Sequence, residues 1–243
     1  MDTISAVALS RLVAQQRATD VAATNMANAA TPGYRAERTV FSDWLSKTAG
    51  AGPGQTVAYT QDRATYRDPQ PGPLQHSGNP LDLAITGDGY FSVQTENGVR
   101  LTRAGHFMLN NTGNIVDPSG NALLNATGQP LQLAPTDSAL TVSGNGALSS
   151  ANGTIGRIGV VRPTNPQALQ AEGSLLLAAP GGTVAVTNPQ LVQGATEGSN
   201  IQPTLELTRM MNDLREFQFT SEMVQAELDR KQATIDKLTQ SRN

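Results

Sequence analysis

The most regular pattern of apolar positions in the sequence lies between Leu207 and Leu238. Apolar side chains recur there at alternating spacings of three and four residues, with breaks at Ser221 and Lys231, and no Gly or Pro follows Pro203. This spacing predicts one long helix with an apolar seam sustained over more than four heptads. The seam comprises Leu207, Met210, Leu214, Phe217, Ser221, Val224, Leu228, Lys231, Ile235 and Leu238.

A second helix is predicted near the other end of the sequence. Residues 3 to about 29 contain no Gly or Pro and are rich in Ala, Leu, Gln and Arg, which favour helices. Thr31-Pro32-Gly33 ends the helical pattern. A weaker heptad-like series comprises Ile4, Val7, Arg11, Ala14, Ala18, Val21, Asn25 and Asn28.

The length of the C-terminal helix bears on what covers its seam. A helix of about 38 residues would be about 57 Å long, which exceeds the width of a small domain. Helices that pack only inside globular domains are usually much shorter. We therefore expect the two terminal helices to pair as a coiled-coil-like unit and to pack against other chains as well.

The sequence between the helices has the pattern of short strands. Leu81, Leu83 and Ile85 alternate with other residues, residues 87–89 (GDG) predict a turn, and Tyr90 begins a second strand, so a β-hairpin is expected. Further apolar runs separated by turn residues are Val99–Thr102, His106–Leu109, Ala122–Leu124, Leu131–Leu133, Leu140–Val142, Ile155–Val161, Leu175–Ala178 and Val184–Val186.

These patterns predict an α+β fold in which an all-β domain, barrel-like or an irregular sandwich, is inserted between two long terminal helices. The predicted division is an N-terminal helix in 1–35, an extended or loop-like connector in 36–78 with Gly-Pro punctuation, an all-β domain in 79–198, and a C-terminal helix in 199–243.

Composition narrows the classes of function. The net charge is −3 with no basic cluster, which argues against nucleic-acid binding, and the absence of Cys excludes disulfides and thiolate chemistry. The N-terminal residues lack the pattern of a secretory signal, and no stretch has the ~20 apolar residues of a spanning helix. We expect either a soluble cytoplasmic protein or export by a route without a cleaved signal.

Candidate chemistry is sparse. His76 and His106 have no metal-site spacing, and the turns at 110–114 and 117–121 lack the terminal Glu of a calcium loop. We predict no catalytic residue, cofactor or metal. Two alternatives stay open: a glycan hydrolase, for which Asp82 and Asp88 would be the paired carboxylates, and a secreted binding module. Electron microscopy of the purified protein would separate assembly from both.

Four stretches in order resemble the flagellar rod and hook protein family. Residues 23–35 (ATNMANAATPGYR) are similar to its N-terminal signature, with Thr24 where Asn is usual. Residues 79–91 (NPLDLAITGDGYF) and 101–116, with LTRAGHF followed by NIV, are similar to two internal motifs. Residues 198–201 (GSNI), with Glu206 and the Met210-Met211 pair, are similar to the C-terminal one. Proximal rod members resemble the sequence most, and distal rod members are close rivals.

The resemblance implies a structural subunit of the bacterial flagellar rod, the drive shaft that transmits torque from motor to hook. It implies export by the flagellar type III apparatus without signal cleavage and assembly in the periplasm with other rod proteins and copies of itself. The terminal helices would form the inner tube, with the β-domain outside it. The motif residues are Thr31, Gly33, Tyr34, Gly87, Asp88, Gly89, Ser199 and Asn200.

The predicted subunit interface follows from the two heptad series. Asn25 and Asn28 have two interpretations: ordinary polar residues at a helix C-terminus, or amides that hydrogen-bond between subunits and define register. The interface set is Ile4, Val7, Val21, Asn25, Asn28, Leu207, Met210, Leu214, Phe217, Val224, Leu228, Ile235 and Leu238.

Overall fold

The computed structural model describes residues 3–47, 56–173 and 175–240, and within them the side chains of 7–40, 65–173 and 175–239. The described chain forms two compact units. Unit 1 contains the described residues of Met1–Ala27, Glu37–Asp68 and Gln202–Asn243. Unit 2 contains those of Asn28–Ala36 and Pro69–Ile201.

Unit 1 consists of two helices and a two-stranded sheet. Its elements are α1 (Thr3–Ala27), β1 (Glu37–Lys47), β2 (Thr56–Arg67) and α2 (Pro203–Gln240). Both terminal helices are thus confirmed, and Pro203 occupies the first position of α2, where its missing N–H has no helical partner to lose. Neither helix, within the described residues, is long and apolar enough to cross a membrane.

The two helices contact each other in antiparallel orientation. Near one end Asn25 of α1 reaches Glu206 of α2, and ten residues earlier Gln15 donates from Nε2 to Glu216 Oε2 at 3.2 Å. The buried face of α1 carries small side chains such as Ala8 and Ala22. Small residues let the axes of two helices approach closely. The observed contacts confirm the pairing of the terminal helices that the sequence predicted.

Strands β1 and β2 form an antiparallel hairpin in the predicted connector. The pairing runs from Glu37 opposite Arg67 to Lys47 opposite Thr56, with a bulge after Val40. The hairpin contacts α1 and belongs to unit 1, whereas residues 69–78 belong to unit 2. The β-branched and aromatic residues of these strands favour pairing, but the Gly-Pro stretches on either side obscure that signal in the sequence.

The regular elements described in unit 2 are short antiparallel strands and one 3₁₀ turn, Pro166–Ala168, capped by Asn165. The strands are β3 (Leu74–His76), β4 (Leu83–Thr86), β5 (Tyr90–Thr95), β6 (Gly98–Thr102), β7 (Met108–Leu109), β8 (Ile115–Val116), β9 (Ala122–Leu123), β10 (Thr141–Val142), β11 (Ala147–Ser150), β12 (Gly153–Arg157), β13 (Val160–Pro163), β14 (Gln170–Glu172), β15 (Leu176–Ala178), β16 (Thr183–Ala185), β17 (Gln190–Gln193) and β18 (Ala195–Glu197).

The largest sheet of unit 2 has nine strands, with the order β14-β15-β6-β5-β9-β8-β7 and with β13 joining β5 to β16. Strands β10, β11 and β12 form a separate sheet. The first strands pair with the last, β3 with β18 and β4 with β17. Pairing between strands more than 100 residues apart closes the unit on itself, which agrees with the predicted inserted β domain.

The predicted hairpin around residues 87–89 is wrong. Strand β4 pairs with β17, whereas β5 pairs with β6, β9 and β13. Gly87 and Gly89 have φ of +93° and +135°, and a Cβ on Gly89 would lie 2.7 Å from Val160 Cγ1. The two glycines therefore turn the chain from one sheet into another instead of reversing it onto a neighbouring strand.

The core of unit 2 comes from the inward residues of these sheets. Phe91 and Phe107 meet edge to face with ring centroids 5.3 Å apart. Leu131 and Leu133 join the same cluster, although their predicted strand is reduced to isolated bridges. The predicted turns at 110–114 and 117–121 are confirmed as connections of the β7-β8-β9 meander.

Candidate functional site

Three columns of residues spaced seven apart run along α2, and the second and third of them contain most of its apolar seam. The first two columns are buried or half-buried, and the third is exposed. The first inner column is Glu206, Asp213, Thr220 and Glu227; the second inner column is Met210, Phe217, Val224 and Lys231; the outer column is Leu207, Leu214, Ser221, Leu228 and Ile235.

The outer column is the apolar half of the predicted seam that the chain itself leaves uncovered. Its members Leu207, Leu214, Leu228 and Ile235 are 45%, 43%, 50% and 54% exposed. Helix α1 instead covers the first inner column, which is polar. Burial raises the pKa of the Asp213 carboxyl in that column, and the nearby Glu216 carboxylate raises it further. The contact between the helices therefore uses one polar column, the first inner one, and one largely apolar column, the second inner one. The other apolar column of the stripe, the outer one, is left uncovered.

The other predicted interface residues occupy varied environments. Val7, Val21, Met210, Phe217 and Val224 are half-buried, Leu238 is 63% exposed, and Asn28 is half-buried and accepts a hydrogen bond from Thr31 Oγ1. The side chain of Ile4 lies outside the described residues. Contact of this set with another subunit stays a prediction.

Asn25 makes its hydrogen bonds inside its own chain. It is 1% exposed, its Nδ2 donates to Glu37 O at 2.9 Å, and Glu37 N donates to its Oδ1 at 2.8 Å. Its amide therefore pairs with the backbone of β1 as a neighbouring strand would. The sequence did not predict this intrachain role, and contact of Asn25 with another subunit stays a prediction.

Glu206 is a buried carboxylate of unit 1, 2% exposed. Its Oε1 accepts from Arg38 Nη1 at 2.7 Å and from Arg209 Nη1 at 2.6 Å, and Asn25 Nδ2 lies 3.5 Å from its Oε2. The residue lies in the first turn of α2, where the helix dipole favours a negative charge. Glu206 thus ties α1, β1 and the start of α2 together.

Replacing Asn25 by alanine should destabilise unit 1 by about 1–3 kcal/mol, because both backbone groups of Glu37 lose their partner. Asn25→Asp should cost more, since a carboxylate would face both Glu37 O and the Glu206 carboxylate. Thermal unfolding, followed by the helical circular dichroism signal, shows which of the two variants is less stable. Asn212→Ala, at an exposed position on α2, is the control and should change stability by less than about 0.5 kcal/mol. Equal stability of Asn25→Asp and wild type would contradict this role.

A second buried carboxylate, Glu197, lies in unit 2 and is 1% exposed. Arg35 donates to its Oε1 from Nε at 3.3 Å and from Nη2 at 3.2 Å, and Arg103 Nη1 donates to its Oε2 at 3.0 Å. The N–H of Gly72 also donates to Oε1 at 3.3 Å. We call these residues, with Tyr90, the Glu197 cluster.

The cluster holds two cations against one carboxylate, and other groups offset the excess charge. Arg103 donates to the carbonyl oxygens of Ile85 and Gly87. The Tyr90 ring faces both guanidinium groups, with its centroid 5.3 Å from Arg103 Cζ and 5.7 Å from Arg35 Cζ. Burial lowers the pKa of the Arg103 guanidinium from its ordinary value, and the charge of Arg35 lowers it further.

The segment 28–36 is held against the rest of unit 2 by motif residues. Gly33 N donates to Glu197 O at 2.7 Å, and Tyr34 is 1% exposed in a small core with Ala36 and Ile201. Asn200 Oδ1 accepts from Ala36 N at 2.8 Å. The chain leaving α1 and the chain leading to α2 are therefore paired side by side within unit 2.

The remaining predicted motif residues have local roles. Ser199 Oγ accepts from Ile201 N at 3.2 Å, and the Thr31 N–H donates to Asn28 O at 3.1 Å. Asp88 is exposed in the turn that Gly87 and Gly89 form.

The sequence interpretation did not identify Arg35, Arg103 and Glu197 as a group. The available signal was their position in or beside the four motif stretches of a chain with only 15% charged residues. Tyr90 comes from the second stretch, so the Glu197 cluster joins all four. Among the described residues no three His, Cys, Asp or Glu side chains are placed to hold a metal ion.

Comparison with known protein families agrees with this arrangement. Residues 6–35 match the family described as "Flagella basal body rod protein". Residues 84–167 match "Flagellar hook protein FlgE/F/G D1 domain", and residues 192–236 match "Flagellar basal body rod FlgEFG protein C-terminal".

Individual relatives extend over nearly the whole chain. The flagellar basal-body rod protein FlgF of Caulobacter vibrioides is 32% identical over 98% of both chains. FlgF of Mesorhizobium japonicum is 32% identical over 90% of both, and FlgG of Bacillus subtilis is 33% identical over 84% of this chain and 87% of its own. The chain therefore belongs to the flagellar basal-body rod FlgE/F/G family, whose members are structural, non-enzymatic subunits that assemble with other rod proteins.

Proposed function

We propose that this chain is a FlgF-like subunit of the proximal rod, exported without a cleaved signal by the flagellar type III apparatus and assembled in the periplasm. The FlgF relatives of two organisms, similar over 90% or more of their length, support this assignment. The alternative is a FlgG-like distal rod subunit, supported by the Bacillus relative. Electron cryomicroscopy of labelled basal bodies, showing which tier of the rod carries the label, separates the two.

The exposed outer column of α2 carries the proposal that the terminal helices assemble the rod. A row of residues spaced seven apart, three Leu and one Ile with a single Ser, fits the surface of another helix. Fully burying such a side chain contributes about 1.5–3 kcal/mol, and these are already half covered, so each adds less. Several together suffice to favour association once neighbouring subunits are positioned.

The assembly unit would consist of the helical segments predicted in 1–35 and 199–243, with the β domain predicted in 79–198 outside it. The first contacts with a neighbour would come from the exposed members of the predicted interface. Half-buried members such as Phe217 and Val224 would support them by holding α2 on α1.

Substituting Leu214 and Leu228 together by Asp should abolish incorporation into the rod and leave both helices folded. Each substitution places a charge in the apolar outer column, where burial against a neighbour would be costly. Purified basal bodies, probed with an antibody against the chain, measure incorporation, and circular dichroism of the soluble variant checks the helices.

Arg215→Asp is the matched control for this variant. It changes the net charge by the same two units, and Arg215 is exposed on the side of α2 away from both inner columns. Incorporation of the control near the wild-type level is expected. Normal incorporation of the Leu214 and Leu228 double variant would contradict assembly through the outer column.

A further inference from the structure

An open helical assembly needs two different surfaces on each subunit, because a surface that binds its own copy closes a dimer. The following inference rests on the proposed rod function. The outer column of α2 is one such surface. It contains no charged residue, so a partner can cover it without removing a charge from water.

Helix α1 provides a second exposed apolar surface in unit 1. Leu9 and Val13, one helical turn apart, are 57% and 61% exposed. Beside them is a groove of about 660 Å³ whose lining includes Leu12, Val21 and Phe217. We call Leu9, Val13 and this groove the α1 groove.

The dimensions of the α1 groove fit the outer column. Its α1 lining extends from Leu12 to Thr24, which is about 18 Å along a helix axis at 1.5 Å per residue. Outer-column residues seven apart, such as Leu207 and Leu214, are separated by about 10.5 Å along α2. Two consecutive outer-column side chains can therefore lie within one groove.

The charged groups at the α1 groove are of both signs. Arg17, Asp20 and Glu37 line it together with Gln16. Because these charges are of both signs, the lining does not attract a strongly acidic or a strongly basic partner in preference to a neutral one. It favours a largely neutral helix with apolar side chains at heptad spacing, which the outer column supplies.

We propose that the outer column of α2 in one subunit packs into the α1 groove of a second copy of this chain, head to tail. Contact between two outer columns would leave Leu9 and Val13 exposed on both subunits. The head-to-tail contact covers both surfaces at once and leaves each subunit with one free groove and one free column, so assembly continues.

Disulfide trapping tests this contact, because the chain contains no Cys and introduced thiols report single positions. Two tagged copies are expressed together in the native host, one carrying Val13→Cys and the other Leu214→Cys or Leu228→Cys. Basal bodies are purified, oxidised and analysed by electrophoresis without reductant. A disulfide needs Cα atoms within about 7 Å, so only neighbours in direct contact are trapped.

Mixed-tag dimers are expected for at least one of the two pairs. The control pair, Val13→Cys with Glu222→Cys on another exposed face of α2, should give none. Dimers of Leu214→Cys or Leu228→Cys with itself, without mixed dimers, would show a symmetric contact and overturn the proposal. Equal trapping with Glu222→Cys would overturn it as well.

The same preparation separates this proposal from the rod function on which it rests. If the variants are present in purified basal bodies but no mixed dimer forms, head-to-tail docking is wrong and the rod function stands. If wild-type chain is itself absent from the basal body, the rod function is wrong.

Discussion

Replacing Glu197 by alanine is expected to destabilise unit 2 by about 3–5 kcal/mol, because it leaves the buried guanidinium groups of Arg35 and Arg103 without their carboxylate. The partners cannot turn into solvent, since both side chains are less than a tenth exposed. Urea denaturation followed by hydrogen exchange in peptides of unit 2 measures the loss. A probe specific to the unit is needed because two units need not unfold together.

The matched control is Glu172→Ala, which removes the carboxylate of a surface pair. Glu172 accepts from Arg100 Nε at 2.7 Å but is 41% exposed, so water can replace it. We expect little change in the urea midpoint for this variant. Similar losses of stability for Glu197→Ala and Glu172→Ala would show that the buried carboxylate contributes no more to stability than the exposed one.

Replacing Gly33 by alanine is expected to cost about 3 kcal/mol or more, from two sources. Gly33 has φ of +74°, which is strained for a residue with a Cβ. That Cβ would also lie 2.3 Å from Ala104 N and 2.5 Å from Arg103 C, so backbone must move. Displacing this backbone would disturb the Glu197 cluster, and the same hydrogen-exchange measurement on segment 28–36 detects it.

Gly120→Ala separates the two sources. Gly120 has φ of +86° but nothing lies within 4 Å of a Cβ built there, so only the backbone strain of about 1–2 kcal/mol is expected. The difference between the two variants measures the close approach of segment 28–36 to the third motif. Equal losses of stability in the two variants would mean that the backbone around Gly33 moves to accept a Cβ without a cost in free energy.

The helices were the most predictable part of this fold. The absence of Gly and Pro over residues 3–29 and 204–240 and the position of Pro203 are local signals, and the observed bounds agree with them. Helix formation depends mainly on residues three and four positions apart, so such signals can be read from sequence. The hairpin expected at residues 87–89 failed for the opposite reason, because β4 finds its partner β17 about a hundred residues away.

The sequence identified the segments that contribute to the site, but it did not predict which of their side chains contact each other. The four motif stretches identified the family, but which of their side chains meet depends on where β3, β4, β17 and β18 bring the two ends of unit 2. Arg35 and Glu197 are 162 positions apart in sequence, and no local pattern relates them. Asn25 likewise pairs with the backbone of Glu37, which requires β1 to return against α1.

The apolar seam of α2 shows, in one helix, what the sequence could determine and what it could not. Its heptad spacing alone determined that α2 is a long helix with one apolar stripe, because the stripe follows from the helical period. Only the tertiary structure decided which half of the stripe α1 covers, because Glu206 must reach Arg38 and Asn25 and so turns the polar first inner column toward α1. The outer column is exposed as a consequence of that buried charge.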